Sequence, residues 1–289
     1  LSLHILILSS LFSSSLFAVE TKLPDIALCN DNSPITEDYP TQAGGRIKPF
    51  YVLAKETMKF IWGKSKNSPT KVFCRLTFAK RAGDESYQIP ILVEHVQSKQ
   101  FLGLEKGDTH ISSAELFSKR DLLRSEIMQQ KENNSYKKDL NKIFSRLETY
   151  TQIVDGNGLT FYKDKNWIPS SELMSSTDEE IKNALIKSKN DFVKENGDGH
   201  LLELTYVKSH IFSYSMLLTL LAIFLTVLMK SLKPGMIIAG ITLAAQISGM
   251  AMRVVISGRA PITNMYETVM FSGTGALVLA MIIITVSYT

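Results

Sequence analysis

"PGMIIAGITLAAQISGMAM", residues 234–252, decides how the rest of the chain is read. Nineteen residues pass without an Asp, Glu, Lys or Arg. At about 1.5 Å of rise per residue, a helix of that length covers most of the ~30 Å hydrocarbon core of a bilayer. Ile211 to Met229 and Thr268 to Thr289 share the property. Backbone groups find no water inside lipid, so a continuous apolar run of this length must bond to itself as a helix. The fold class expected is an integral membrane α-helical bundle with at least three C-terminal transmembrane helices, near 211–229, 234–252 and 268–289. Its partner at that level is the lipid bilayer.

Within 234–252, Ala239, Gly240, Ala244, Ala245, Ser248, Gly249 and Ala251 are small, with Gly240-xxx-Ala244 and Ala245-xxx-Gly249 spacings. Gly273, Gly275, Ala276 and Ala280 continue the theme in the last run. Small residues let helix backbones approach closely in lipid, so these helices are expected in a bundle and not as isolated anchors.

Leu1 to Val19 is a further apolar segment, interrupted by serines and by His4. It reads either as a signal-like segment lacking a basic start or as a fourth span. An ionisable residue inside such a run is a candidate haem ligand or proton relay by default, which singles out His4. The chain begins without Met and stops inside an apolar run, so it is expected to be a fragment cut at both ends.

Between these segments, residues 20–208 hold 28 of the 32 Lys and Arg and 27 of the 28 Asp and Glu. That mixed-sign surface has no basic stripe, which argues against nucleic acid as a partner. The loop "KSLKPG" carries Lys230 and Lys233 without an acid and belongs on the cytoplasmic side. Residues 20–208 and the loop "GRAPITNMYET" then face outward, and the domains expected are 1–19, 20–208 and 209–289. A bacterial inner membrane with the large domain in the periplasm fits that arrangement. Cys29 and Cys74 fall in this outward region, either bonded to each other or as two buried thiols. They form neither a CxxC pair nor metal-ligand spacing.

The outward region is expected to be mixed α+β or mainly helical. Pro49 at a first turn, followed by Phe50, Leu53, Ala54, Met58, Ile61 and Trp62, predicts an amphipathic helix closed by Gly63. Val72 to Phe78 and Tyr87 to Val96 alternate enough to suggest strands. Ser112-x-x-Glu115 and Thr177-x-x-Glu180 are capping boxes opening helices, and "LTFYKDKNWIP" suggests a strand followed by a loop. From Leu201 no Gly or Pro interrupts the run into the first span, which predicts one helix continuing from domain to membrane.

Soluble-enzyme templates are absent: no GxGxxG, Walker A, HExxH or GxSxG occurs, and the five histidines show no metal-ligand spacing. No metal site is expected. The polar chemistry concentrates instead in "GRAPITNMYETVMFSG", residues 258–273. Pro261 forces a turn, Thr263 or Asn264 caps the next helix, and Glu267 complements its dipole. Arg259, Tyr266 and Glu267 are placed to converge on an external groove.

"GRAPITNMYETVMF" resembles the short outer loop and following helix of CcsA-type cytochrome c biogenesis proteins. "GGRIKPFYVLAKE", residues 44–56, resembles the periplasmic Gly-Arg-Ile-Lys-Pro-Phe segment of fused CcsB–CcsA proteins. "ELTYVKSHIFSY", residues 203–214, resembles the segment entering the next membrane helix there. The resemblance implies a system II cytochrome c synthase, a holocytochrome c synthase that exports haem and joins it to CxxCH thiols of apocytochrome c. Thiol-reducing proteins are implied as further partners, and haem as the cofactor of the full-length protein. Adding a thiol across a haem vinyl group needs held geometry more than a protein nucleophile, in keeping with the missing catalytic triad. That family's Trp-rich haem-binding loop and flanking histidines do not occur here and are expected downstream of Thr289, so the fragment alone is expected to be inactive. Arg259, Pro261, Asn264, Tyr266 and Glu267 carry over as residues shaping the outer face near haem. Two other readings stay open: a membrane-anchored periplasmic sensor or receptor, which predicts a cytoplasmic output domain, and a transporter subunit, which predicts further spans without a Trp-rich loop.

Overall fold

The structure, a computed structural model, describes residues 21–30, 33–63, 68–83, 87–105, 107–259 and 265–287, with the backbone alone of Ala82 and Tyr266. Leu1 to Val19 therefore lies outside the described residues. In chain order the elements begin with the hairpin β1 (Pro40–Ala43) and β2 (Arg46–Pro49), then α1 (Phe50–Trp62), α2 (Pro69–Thr77), β3 (Pro90–Leu92), α3 (Val96–Leu102) and β4 (His110–Ser112). There follow α4 (Ser113–Ser118), α5 (Arg120–Gln129), α6 (Ser135–Val154), β5 (Thr160–Lys163), β6 (Asn166–Pro169) and α7 (Asp178–Asn196). The last four are α8 (Leu201–Ser209), α9 (Ile211–Ile223), α10 (Leu232–Ser257) and α11 (Met265–Ser287). The described residues are thus mostly helical, with three small two-stranded antiparallel sheets.

Two compact units form, and the division falls within α1, between Lys55 and Glu56. One comprises residues 21–30, Glu56–Gly158 and Ser170–Met174; the other comprises 33–55, Leu159–Pro169 and 175–287.

In the first unit, α6 is the central element. Leu140, Ile143, Leu147 and Ile153 recur along it at helical spacing and are fully buried. Each contributes about 1.5–3 kcal/mol of burial. Helices α2, α3, α4 and α5 and strand β3 pack around it. The segment Val72 to Phe78, expected as a strand, is mostly helix α2. Pro69 occupies its first turn, and Val72, Phe73 and Leu76 fall on one buried face. Only three residues of Tyr87 to Val96 are strand, β3, which pairs Ile91 with Ile111 of β4. Ser112 does cap α4, accepting from the Glu115 N–H at 3.1 Å, but the helix stops at Ser118 and α5 restarts beyond Lys119.

Two covalent or charged ties hold this unit. Cys29 and Cys74 are disulfide-bonded, with Cα atoms 5.6 Å apart, so the alternative of two free thiols is excluded. Arg146, 5% exposed, donates from α6 to the carbonyls of Phe60 and Leu92 and to Glu94, each at 2.8 Å. Its hydrogen bond holds the Glu94 carboxyl below the usual carboxylate range. Glu94 therefore adds stability that is present at neutral pH and fades as the pH falls through that lowered value, a small effect because Glu94 is half exposed. Arg146→Leu is expected to cost about 3 kcal/mol, by removing a buried guanidinium's hydrogen bonds to two part-buried carbonyls and to Glu94. A thermal unfolding midpoint in detergent checks this; an unchanged midpoint contradicts it.

The second unit starts from two hairpins. The Gly44-Gly45 pair is the β1–β2 turn, with φ of 59° and 78°. Asp164 and Lys165 form the β5–β6 turn with φ of 49° and 65°, so the expected strand and loop are a complete hairpin. Positive φ at both turn positions matches the right-handed strand twist. Strand β5 packs against both β1 and α7. At their meeting point the buried Ser188 hydroxyl accepts from the Tyr162 N–H at 2.7 Å and bonds the Tyr39 hydroxyl at 3.0 Å. Helix α7 opens with the full Thr177/Glu180 capping box and ends at Gly197.

Among the described residues, three helical stretches are long and apolar enough to cross a membrane: Leu201–Leu228, Leu232–Ser257 and Glu267–Ser287. The first is not the continuous helix expected. His210 takes a left-handed conformation (φ 46°, ψ 34°) that ends α8, and its carbonyl starts α9 by accepting from the Ser213 and Tyr214 N–H groups. That backbone costs a non-glycine residue roughly 1–2 kcal/mol, and no Gly or Pro betrays it in the sequence. The last turn before the α9–α10 connection widens to a π-helix over Phe224–Leu228.

Helix α10 packs against both α9 and α11. Its buried positions are Gly235, Ala239, Thr242 and Gly249, so the α9 seam uses Gly249 but not the expected Gly240 and Ala244. A Cβ at Gly235 would stand 2.2 Å from the Thr226 methyl, and one at Gly249 would stand 2.9 Å from Ile211 and Phe212. At Gly240 it would meet nothing within 4 Å. Gly249→Leu is accordingly expected to lower the amount of folded protein recovered from membranes several-fold by overpacking, whereas Gly240→Leu leaves it unchanged. Equal loss from both would show that the seam is misplaced.

Candidate functional site

Four charged side chains lie beyond Ser231 in the whole sequence: Lys233, Arg253, Arg259 and Glu267. Glu267 stands in the first turn of α11, where its carboxylate complements the helix dipole. Its partner is Arg253, just before the last turn of α10, whose Nε donates to Oε1 at 2.8 Å. The carboxylate is 7% exposed and the guanidinium 36%. Tyr206 of α8 adds a side-chain hydrogen bond to Arg253. Three helices thereby contribute to one polar cluster. A buried carboxylate needs such partners, because an unpaired charge away from water is costly.

This corrects the sequence reading in one respect. Arg259, expected to meet Glu267, is exposed one residue past the left-handed C-cap Gly258. Arg253 is the cation that reaches the carboxylate, and sequence reasoning missed it as a site residue. The signal was present: one acid and two candidate bases, of which only Arg253 is held on a helix facing α11. Pro261 and Asn264 lie outside the described residues, as does His4. Tyr266 is in the first turn of α11, with its side chain outside the description.

Seven residues deeper on each helix, Thr274 donates to the Gln246 side-chain oxygen at 2.9 Å. At 1.5 Å per residue this second polar contact sits about 10 Å further along the α10–α11 seam. The two contacts fix the register of α10 against α11 in an otherwise apolar surrounding.

Three histidines within residues 20–208, His95, His110 and His200, carry no catalytic arrangement. Ser135 Oγ lies 3.2 Å from His95 Nε2, and Asp139 is near, which superficially suggests a triad. His95 Nδ1, however, accepts from the Gln97 N–H at 3.3 Å, so the ring proton sits on Nε2 and faces Ser135 as a donor. Asp139 holds the His95 backbone N–H at 3.2 Å and not its ring. The arrangement cannot abstract the serine proton. His110 is bonded through both nitrogens, to Thr109 at 2.8 Å and to the Trp62 carbonyl at 2.9 Å. His200 Nε2 donates to the Asp38 carbonyl at 3.0 Å, and its Nδ1 is buried. Among the described residues no three His, Cys, Asp or Glu side chains cluster to hold a metal ion.

Compared with protein-family models and with curated proteins, the chain matches none.

Proposed function

We propose that this chain is part of an integral inner-membrane system II cytochrome c synthase, acting in haem delivery to apocytochrome c. The observation that carries the reading is the pairing of Arg253 with the buried Glu267. It sits at the edge of the stretch "GRAPITNMYETVMF", whose residues resemble the outer loop of CcsA-type proteins. The charge pair, with Tyr206, ties α8, α10 and α11 together, which on this reading helps shape the outer face near haem. The Cys29–Cys74 disulfide supports an oxidising compartment for the large domain, in line with a periplasmic placement.

Among the described histidines, the ring nitrogens of His95 and His110 are engaged and His200 offers only a buried Nδ1, whereas His210 is exposed at the break between α8 and α9. The described residues bring no pair of histidines together for axial ligation, and no chemical step is assigned to Arg253, Glu267 or Tyr206. Their role is to shape and hold that face.

The test is the coding sequence past Thr289. A Trp-rich outer loop flanked by histidines within further spans is expected. A cytoplasmic output domain there would replace the proposal with the sensor reading, and spans without the loop would replace it with a transporter subunit.

A further inference from the structure

The first unit contains a cavity of about 320 Å³ where the last turn of α6 meets the start of α4. Three aromatic residues line it: Tyr87, Phe117 and Tyr150. Tyr150 lies deepest at 7% exposed, whereas Phe117 is 51% exposed. Burial raises the Tyr150 ionisation to about 12, so its hydroxyl stays neutral. The polar groups beside it are already used. Tyr150 bonds Ser113, whose oxygen accepts from the Ile89 N–H at 3.1 Å, and Thr151 donates to the Leu147 carbonyl at 3.0 Å. A sugar-like ligand would find few partners there.

Charge at the rim selects further. Asp155 is the C-cap of the 20-residue α6, so its carboxylate adds to the negative end of the helix dipole. An anion is disfavoured at that point and a cation favoured. The chain supplies one itself, since Lys80 pairs with Asp155. Aromatic walls beside a carboxylate that Lys80 shares suit an ammonium group carrying an apolar shell.

We propose that this cavity binds a small organic ammonium ligand, held by Tyr87, Phe117 and Tyr150 and by Asp155, with Lys80 as its built-in competitor. This site is separate from the Arg253–Glu267 cluster and does not rest on the synthase reading.

Binding of benzyltrimethylammonium to the full chain in detergent, followed by saturation-transfer NMR and by calorimetry, tests it. Saturable binding is expected, weaker by about tenfold for the uncharged tert-butyl isostere, as a desolvated cation–π contact implies. Phe117→Ala, a change at an exposed position, is expected to weaken binding about fivefold, within the range of one such contact. Asp155→Asn weakens it similarly, and Lys80→Ala tightens it by removing the competitor. The opposite directions for Asp155 and Lys80 distinguish a cation site from loss of folding. Equal binding of the neutral isostere, no saturable binding, or tightening by Asp155→Asn would each overturn the proposal.

Discussion

Arg253→Met is expected to be strongly destabilising, costing about 3 kcal/mol or more. It leaves the Glu267 carboxylate, 7% exposed, without the guanidinium that bonds it at 2.8 Å. Removing one partner of a buried pair typically costs about 3–5 kcal/mol, because the survivor remains charged and desolvated. Glu267→Ala is expected to cost less, since Arg253 is one-third exposed and can turn toward water. The double change Arg253→Met with Glu267→Leu is expected to recover most of the loss, as apolar replacement of both partners often does. Thermal midpoints in detergent for the three variants check the order. If the double variant is as unstable as Arg253→Met, the pair is not what holds the helix ends.

The second large effect is expected from the disulfide. Cys29 and Cys74 are 45 residues apart, and chain entropy assigns a cross-link of that span about 4 kcal/mol at 25 °C. Replacing both with Ser, or reducing the bond, is therefore expected to lower the midpoint by many degrees and to expose the first unit to protease. Non-reducing gel mobility should shift on reduction. Loss of the disulfide with no change in protease resistance would show that the α6 core and Arg146 suffice on their own.

The apolar helices were the most legible part of the chain. Their runs are free of charge and near the length a bilayer demands, and no competing structure uses such a pattern. Capped helices were legible for a similar reason: Thr177 and Glu180 satisfy each other's orphan groups wherever the helix packs. The short elements were not. Val72, Phe73 and Leu76 fit either period over so few residues, and Pro69 with the α6 surface made them a helix. The hairpin turn at Asp164-Lys165 has one residue, Lys165, that seldom takes positive φ, so the sequence hid it. The break at His210 has no local signal at all.

The candidate site was legible in part. Glu267 stood out as a lone acid among apolar residues, but two bases competed for it. Arg253 wins because its place on α10 faces the first turn of α11, whereas Arg259 lies past the helix end. That choice depends on how two helices pack, which a sequence pattern of small residues only loosely constrains. The same looseness explains why Gly240 was expected in a seam that uses Gly235 and Gly249.

The most direct test of the central proposal is the covalent haem content of membranes from the source organism after disruption of this gene. The account predicts loss of c-type haem by haem staining and pyridine haemochrome spectra, with b-type haem retained. Reintroducing the intact gene should restore c-type haem, and the Arg253→Met form should restore it poorly. Unchanged c-type haem in the disrupted strain would contradict the account.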